Sequence, residues 1–143
     1  MRNLSLLTLM AFVAGIFVLA SCKKDDSPKD LLTGQSCWKI VKQESRADAT
    51  AAWATDVAES CTADDCTSFT TDGKTSTDEG ATKCEPTDPQ SSTGTYVLSE
   101  DGKTLTVTED GFSLPFVVEE LTSKKLVISV SFLGESRITF EAN

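Results

Sequence analysis

Among side chains able to do chemistry, this sequence offers five cysteines and 22 carboxylates but no histidine. The usual proton shuttle at neutral pH and the commonest metal ligand are therefore both missing. No Gly-x-Ser-x-Gly elbow and no glycine-rich phosphate loop occurs, and Glu119 and Glu120, adjacent on a strand, must point to opposite faces. These residues argue against an enzyme and imply no cofactor. Asp64, Asp65, Asp72, Asp78 and Glu79 invite a calcium reading, but they lack the alternating spacing that wraps oxygens around one ion. A solvated acidic face is the plainer reading. Cys37, Cys61, Cys66 and Cys84 include no Cys-x-x-Cys pair, so zinc is equally poorly served.

Cys22 stands apart from those four. It follows an apolar run that begins at Leu4, with Arg2 the only charge ahead of it and Ala20 and Ser21 just before the thiol. That is the layout of a secretory signal. Leu19-Ala20-Ser21-Cys22 resembles the lipobox of bacterial lipoproteins, whose cysteine receives a diacylglyceryl group before the signal is cut away. The resemblance implies a signal over residues 1–21, a mature chain that starts at a lipidated Cys22, and a membrane partner reached through acyl chains. Two or three such chains hold a protein stably. A membrane-spanning helix over residues 4–20 is the competing reading, at the short limit for crossing about 30 Å of hydrocarbon.

Lys23 to Asp30 is polar and carries Pro28, so it reads as a tether of at most about 28 Å. Residues 22–31 are assigned to the lipidated cysteine and this flexible tether, and 32–143 to one folded domain. Lys24-Asp25-Asp26 also resembles the lysine-plus-acidic export signal of surface-exposed lipoproteins in Bacteroidota-type bacteria. The expected address is the outer membrane, on its periplasmic or its outer face.

Without residues 1–21 the chain keeps 122 of its 143 residues, enough for one domain and one core, and a monomer is expected. Only Arg2 leaves with the signal, so the balance moves from −9 to −10. Such a surface repels phosphate backbones and excludes nucleic acid as a partner. In an exported chain the four remaining cysteines form an even set for disulfides, with three possible pairings. Cys61 and Cys84 flank a hairpin hinged at Asp72-Gly73, and a bond between them would tie its ends for roughly 3 kcal/mol. Cys37 and Cys66 would then be left for one another, if their Cα atoms come within about 7 Å.

The elements follow from alternation. Eight strands are expected, over 36–43, 65–71, 74–79, 94–100, 103–109, 112–120, 124–132 and 135–142. Their inward positions include Trp38, Ile40, Phe69, Tyr96, Leu98, Leu105, Phe112, Phe116, Ile128, Val130, Phe132 and Phe140. Pro115 removes a ladder donor and suggests a bulge. The alanine-rich stretch between the first two strands allows a short helix over 50–58, with Trp53 plugging the core or touching a ligand. Eight antiparallel strands in sequence order leave two bare edges unless the sheet curls shut, so the expected fold is all-β, an eight-stranded up-and-down barrel. Such an interior is filled by side chains or holds one small ligand.

Trp38 shortly after Gly34, CTADD leading to Phe69, Asp72-Gly73, DEGATKCEPTDPQ, GTYVLSEDGKTLTV and EELTSKKLVI together resemble the lipocalin-like lipoproteins of Bacteroidota-type bacteria. The likeness spans essentially the whole mature chain. Three residues separate Gly34 from Trp38 where lipocalins keep a glycine and tryptophan at the first strand, and Cys37 and Cys66 look like additions. The resemblance implies a calycin-type barrel, a cystine from Cys61 to Cys84, and no catalytic residues. Two functions then compete: a lipid-tethered module holding a small apolar or amphipathic ligand among the inward residues, and a solid-cored surface scaffold whose acidic loops meet an unidentified protein partner.

Overall fold

In a computed structural model of the chain, residues 26–56, 59–132 and 134–143 are described. The signal segment, Cys22, Lys24 and Asp25 lie outside them. The strands are β1 (Trp38–Arg46), β2 (Ala54–Thr55), β3 (Cys66–Phe69), β4 (Lys74–Asp78), β5 (Ser91–Leu98), β6 (Thr104–Glu109), β7 (Phe112–Leu121), β8 (Lys125–Ser131) and β9 (Glu135–Ala142). From β3 to β9 each strand pairs antiparallel with the next, and β1 returns to pair with β9 and with β3. The result is a closed eight-stranded up-and-down barrel, with β2 a two-residue addition against β1. Short turns enforce the order, since Asp72-Gly73 and Asp101-Gly102 put their glycines at φ 85° and 68°, where a side chain would strain the backbone.

Closure is uneven. β1 runs alongside β9 from Trp38 opposite Ala142 to Arg46 opposite Glu135, but meets β3 only where Trp38 faces Thr67. The Cys37–Cys66 disulfide sits next to that single pair, with Cα atoms 5.3 Å apart. The Cys61–Cys84 disulfide, Cα atoms 5.1 Å apart, ties the ends of the β3–β4 hairpin segment. Thus one covalent bond pins the weak seam and the other pins the hairpin beside it.

One end of the barrel is capped by a helix, α1 (Pro28–Thr33). Residues 28–31, assigned above to the tether, are therefore helical, because Ser27 and Asp30 form a reciprocal capping box and Pro28 occupies the first turn. The Asp30 amide donates to Ser27 Oγ at 3.2 Å, and the Ser27 amide to Asp30 Oδ2 at 3.3 Å. Leu32, fully buried, plugs the barrel, and its carbonyl accepts the indole N–H of the equally buried Trp38 at 2.9 Å. The helix also rests on the β5–β6 turn, where a Cβ on Gly102 would lie 2.6 Å from Pro28 Cβ.

Two other local expectations are corrected. Residues 50–56 form no helix; Asp48 Oδ1 accepts the amides of Thr50 and Ala51 at 2.8 and 3.1 Å, competing with helical bonding, before the chain enters β2. Residues 57 and 58 of that expected helix lie outside the described set. Pro115 makes no bulge and pairs in register with Thr106. The β7–β8 register begins only at Val117 opposite Ser129, so Pro115 lacks a donor where no β8 partner needs one. The irregularities fall instead at Val41, between Ile40 and Lys42, and at Glu119, between Val118 and Glu120.

Leu32→Ala should cost about 2–5 kcal/mol, since it opens a void under a packed indole, read as a lower urea midpoint by tryptophan fluorescence. Replacing Cys37 and Cys66 together by alanine should cost about 2–4 kcal/mol. An unchanged midpoint in either variant would contradict the closure described.

Candidate functional site

The barrel interior divides into two unlike walls. On β6 to β9, strand alternation turns Leu105, Phe116, Leu126, Ile128, Ile138 and Phe140 inward, apolar throughout. On β3 to β5 the same alternation, fixed by buried Phe69 opposite Thr75 and by Thr67 opposite Thr77, turns hydroxyls inward. The register then brings Ser92 and Gly94 in as well. Gly94 is required there, because a Cβ would lie 2.5 Å from the Thr108 carbonyl oxygen. Between these walls a half-enclosed cavity of about 150 Å³ remains, with Glu109 at its outer edge.

The hydroxyl wall is only partly self-satisfied. Thr67 Oγ1 and Thr77 Oγ1 lie 3.0 Å apart, and Thr75 Oγ1 donates to the Ser68 carbonyl at 3.0 Å. The threonine oxygens keep acceptor capacity beyond these bonds. Below, Phe69 and Tyr96 stack edge to face at 5.1 Å, and the Tyr96 hydroxyl donates to the Thr70 carbonyl at 2.7 Å. Burial, with the Asp72 charge adding, pushes the Tyr96 phenol above its ordinary value, so it stays a neutral donor.

Of the expected inward residues, Trp38, Phe69, Tyr96, Leu105, Ile128 and Phe140 are buried in one cluster, and Ile40, Leu98 and Phe116 pack against it. Val130 is half-buried outside that cluster. Phe112 and Phe132 correct the expectation: they are 66% and 72% exposed at the open end. Their alternation holds, but Phe112 opens β7 and Phe132 lies just beyond β8, so the barrel wall has run out around them. Thr67, Thr75 and Thr77 were missed as site residues, although Phe69 inward already places Thr67 inward.

Trp53 neither plugs the core nor lines the cavity. The guanidinium carbons of Arg46 and Arg137 each sit 4.3 Å from its ring centroid, which holds the indole by cation–π attraction. Arg137 also donates to the buried Glu44 through Nε at 3.0 Å and Nη2 at 2.8 Å, and Lys42 Nζ lies 2.8 Å away. The Lys42 ammonium, and then Arg137, hold the Glu44 carboxyl below its ordinary range. Arg46 is in turn paired with Glu135. Every charge touching Trp53 is thus neutralised by a neighbour, which marks a structural clasp.

The carboxylates of the β3–β4 region do not converge, among the described residues, to a common ligand distance. Among the described residues, the one group converging to ligand distance is Glu59 with Cys61 and Cys84, whose sulfurs are bonded to each other. Asp64 instead laces the loop after β4, accepting the amides of Ala81 at 2.7 Å and Thr82 at 3.1 Å. Asp65 Oδ1 is buried without a hydrogen-bond partner, and burial, then the charges of Glu79, Asp64 and Asp78, raises this carboxyl.

A family model described as a lipocalin-like domain matches residues 32–128. No curated protein and no solved structure matches the chain.

A carboxyl raised above its ordinary 3.8 destabilises the fold wherever it is ionised. Asp65→Asn should therefore raise the melting temperature at pH 7. The gain should shrink as pH falls through the raised value and vanish once pH drops below 3.8. Thermal scans between pH 3 and 8 read this, and a gain that grows with acidity would contradict the assignment.

Proposed function

Because this chain belongs to the lipocalin-like domain family, we propose that it is an exported, lipid-anchored binding protein that holds a small apolar or amphipathic molecule at the mouth of its barrel. The observation that carries the reading is the two-walled interior, apolar on β6 to β9 and hydroxyl-bearing on β3 to β5. A guest with one apolar face and one hydrogen-bonding face fits it, whereas a dry core has no use for that asymmetry. The two disulfides are compatible with export.

Anchoring rests on Cys22 and its lipobox-like neighbours. Five peptide units between Cys22 and Ser27 reach at most about 18 Å, which sets the capped end beside an outer-membrane bilayer. The mouth then faces away from the lipid. Binding here involves no covalent chemistry. The barrel excludes water from the guest's apolar part, and the threonine hydroxyls orient its polar part.

A filled scaffold is the second reading, favoured by the interior volume: about 150 Å³ lies below the several hundred typical of ligand pockets. Native mass spectrometry of the protein extracted from its own envelope separates the two. A bound guest lighter than a few hundred daltons is expected, and repeated preparations without one would turn the reading to the scaffold. The same spectra should show a chain beginning at Cys22 with acyl mass attached. Cys22→Ala should move the protein from the membrane to the soluble fraction, and an unmodified wild-type terminus would sink the anchor.

A further inference from the structure

The barrel wall is not continuous. β7 starts at Phe112 and β8 ends at Ser131, yet their register begins only at Val117 opposite Ser129, so among the described residues Phe112 to Phe116 of β7 and Val130 and Ser131 of β8 are unpaired with each other. β8 stays with β9 throughout, Val130 opposite Ser136 and Ser131 opposite Glu135, while β7 stays with β6. The two strands part company, leaving a slot. Pro115, with no N–H to offer, stands on its edge and prevents pairing from closing it.

The slot is large and mostly apolar, with Thr104, Ser129, Ser131 and Glu135 also on its lining. Leu114, Pro115, Phe116, Val117, Val130 and Phe132 line a cleft of about 440 Å³. Of the five large apolar side chains exposed among the described residues, Phe112, Val117 and Phe132 belong to β7 or to the end of β8, so the exposed apolar surface gathers here. Phe116 lines both this cleft and the interior cavity, so the two spaces share one half-buried ring. An apolar cavity of 150 Å³ takes a molecule about the size of benzene. Joined to the cleft, it takes a chain.

Charge then selects the head. The ionisable side chain on the interior cavity is Glu109, next to Asp110 at the β6–β7 turn, with no basic residue lining either space. Glu135, on the cleft, is already engaged by Arg46. An anionic head would therefore meet unpaired negative charge at the mouth.

The geometry points to a lateral binding site in the split between β7 and β8, continuous with the interior past Phe116, that accepts a single-chain amphiphile with an uncharged or cationic head. The inference deepens the reading of the interior as a binding cavity and rests on it. The chain of the guest leaves through the wall, so guest length is not limited by the interior volume.

The test uses the intact lipidated chain in proteoliposomes, exposed to photoactivatable ten-carbon alcohol, amine and carboxylate probes and to a four-carbon alcohol, with labelled residues mapped by mass spectrometry. The ten-carbon alcohol and amine should label Leu114, Val117 or Phe132 as well as interior residues, and the carboxylate several-fold less. The four-carbon alcohol should label only the interior. Phe132→Ser with Val117→Ser, both at exposed positions, should reduce the ten-carbon labelling at least about fivefold and leave the four-carbon labelling unchanged. Interior labelling alone with every probe would overturn the lateral site while leaving the binding cavity standing. Absence of all labelling would overturn both. Carboxylate labelling equal to that of the amine would overturn the charge selection, and cross-linked dimers joined through Phe132 would show that a second copy, not a lipid-like guest, covers the slot.

Discussion

The structure depends on how β1 closes the sheet. An up-and-down barrel has no edges only if its first strand meets its last, and here that contact is extensive, from Trp38 opposite Ala142 to Arg46 opposite Glu135. On its other side β1 pairs with β3 through Trp38 opposite Thr67 alone. Everything that makes the barrel a barrel on that side gathers at this point: the Cys37–Cys66 bond, the buried Trp38 indole, and the Leu32 carbonyl that receives its N–H. A hydrogen bond to a fully buried donor matters more than its modest net energy implies, since losing it strands the indole N–H in an apolar core. The capping helix and the seam thus stabilise each other.

From that closure follows the polarity of the barrel along its axis. At the capped end Leu32, Trp38, Leu105 and Leu126 are almost fully buried. At the mouth the inward positions pass to Thr77, Ser92 and Glu109 on one side and to exposed Phe112 on the other. The small side chains of β3 to β5 cannot reach across to the large ones of β6 to β9, and the space left between them is the cavity. A core built by alternation alone is filled only if facing positions complement each other in volume. Here Thr75 stands beside Gly94, which has no side chain to fill the space.

Much of this was legible in the chain because turns and alternation are local. Asp72-Gly73 and Asp101-Gly102 mark hairpins by backbone chemistry that no tertiary contact must supply, and the strands from β4 to β9 follow from them. The capping helix was hidden for the opposite reason. Ser27-Pro28-Lys29-Asp30 reads as polar linker until Leu31 and Leu32 are seen as the residues it delivers into the barrel. Likewise Phe112 and Phe132 have the correct parity, but parity says which face a residue takes and not how far along the strand its neighbour continues. Trp53 was undecidable from its surroundings in sequence, since Arg137, one of the two cations that hold it, lies on β9.

The bulges show the same division between local and non-local causes. Pro115 is the residue whose chemistry demands an irregularity, yet it pairs regularly with β6 because its missing donor faces the unpaired side of β7. Val41 and Glu119, which nothing local singles out, carry the irregularities instead. Each restarts the alternation of its strand one residue later. In β1 the restart sets Glu44 opposite Arg137 and so permits the clasp around Trp53. In β7 it leaves Glu119 with an oxygen 3.7 Å from the same guanidinium. The two bulges therefore converge on one arginine, and the outer wall from β7 across β8 and β9 to β1 is held in register by charge where the inner wall is held by packing. Further along that same edge of β7, toward its Phe112 end, no backbone pairing reaches β8, and that is where the wall divides.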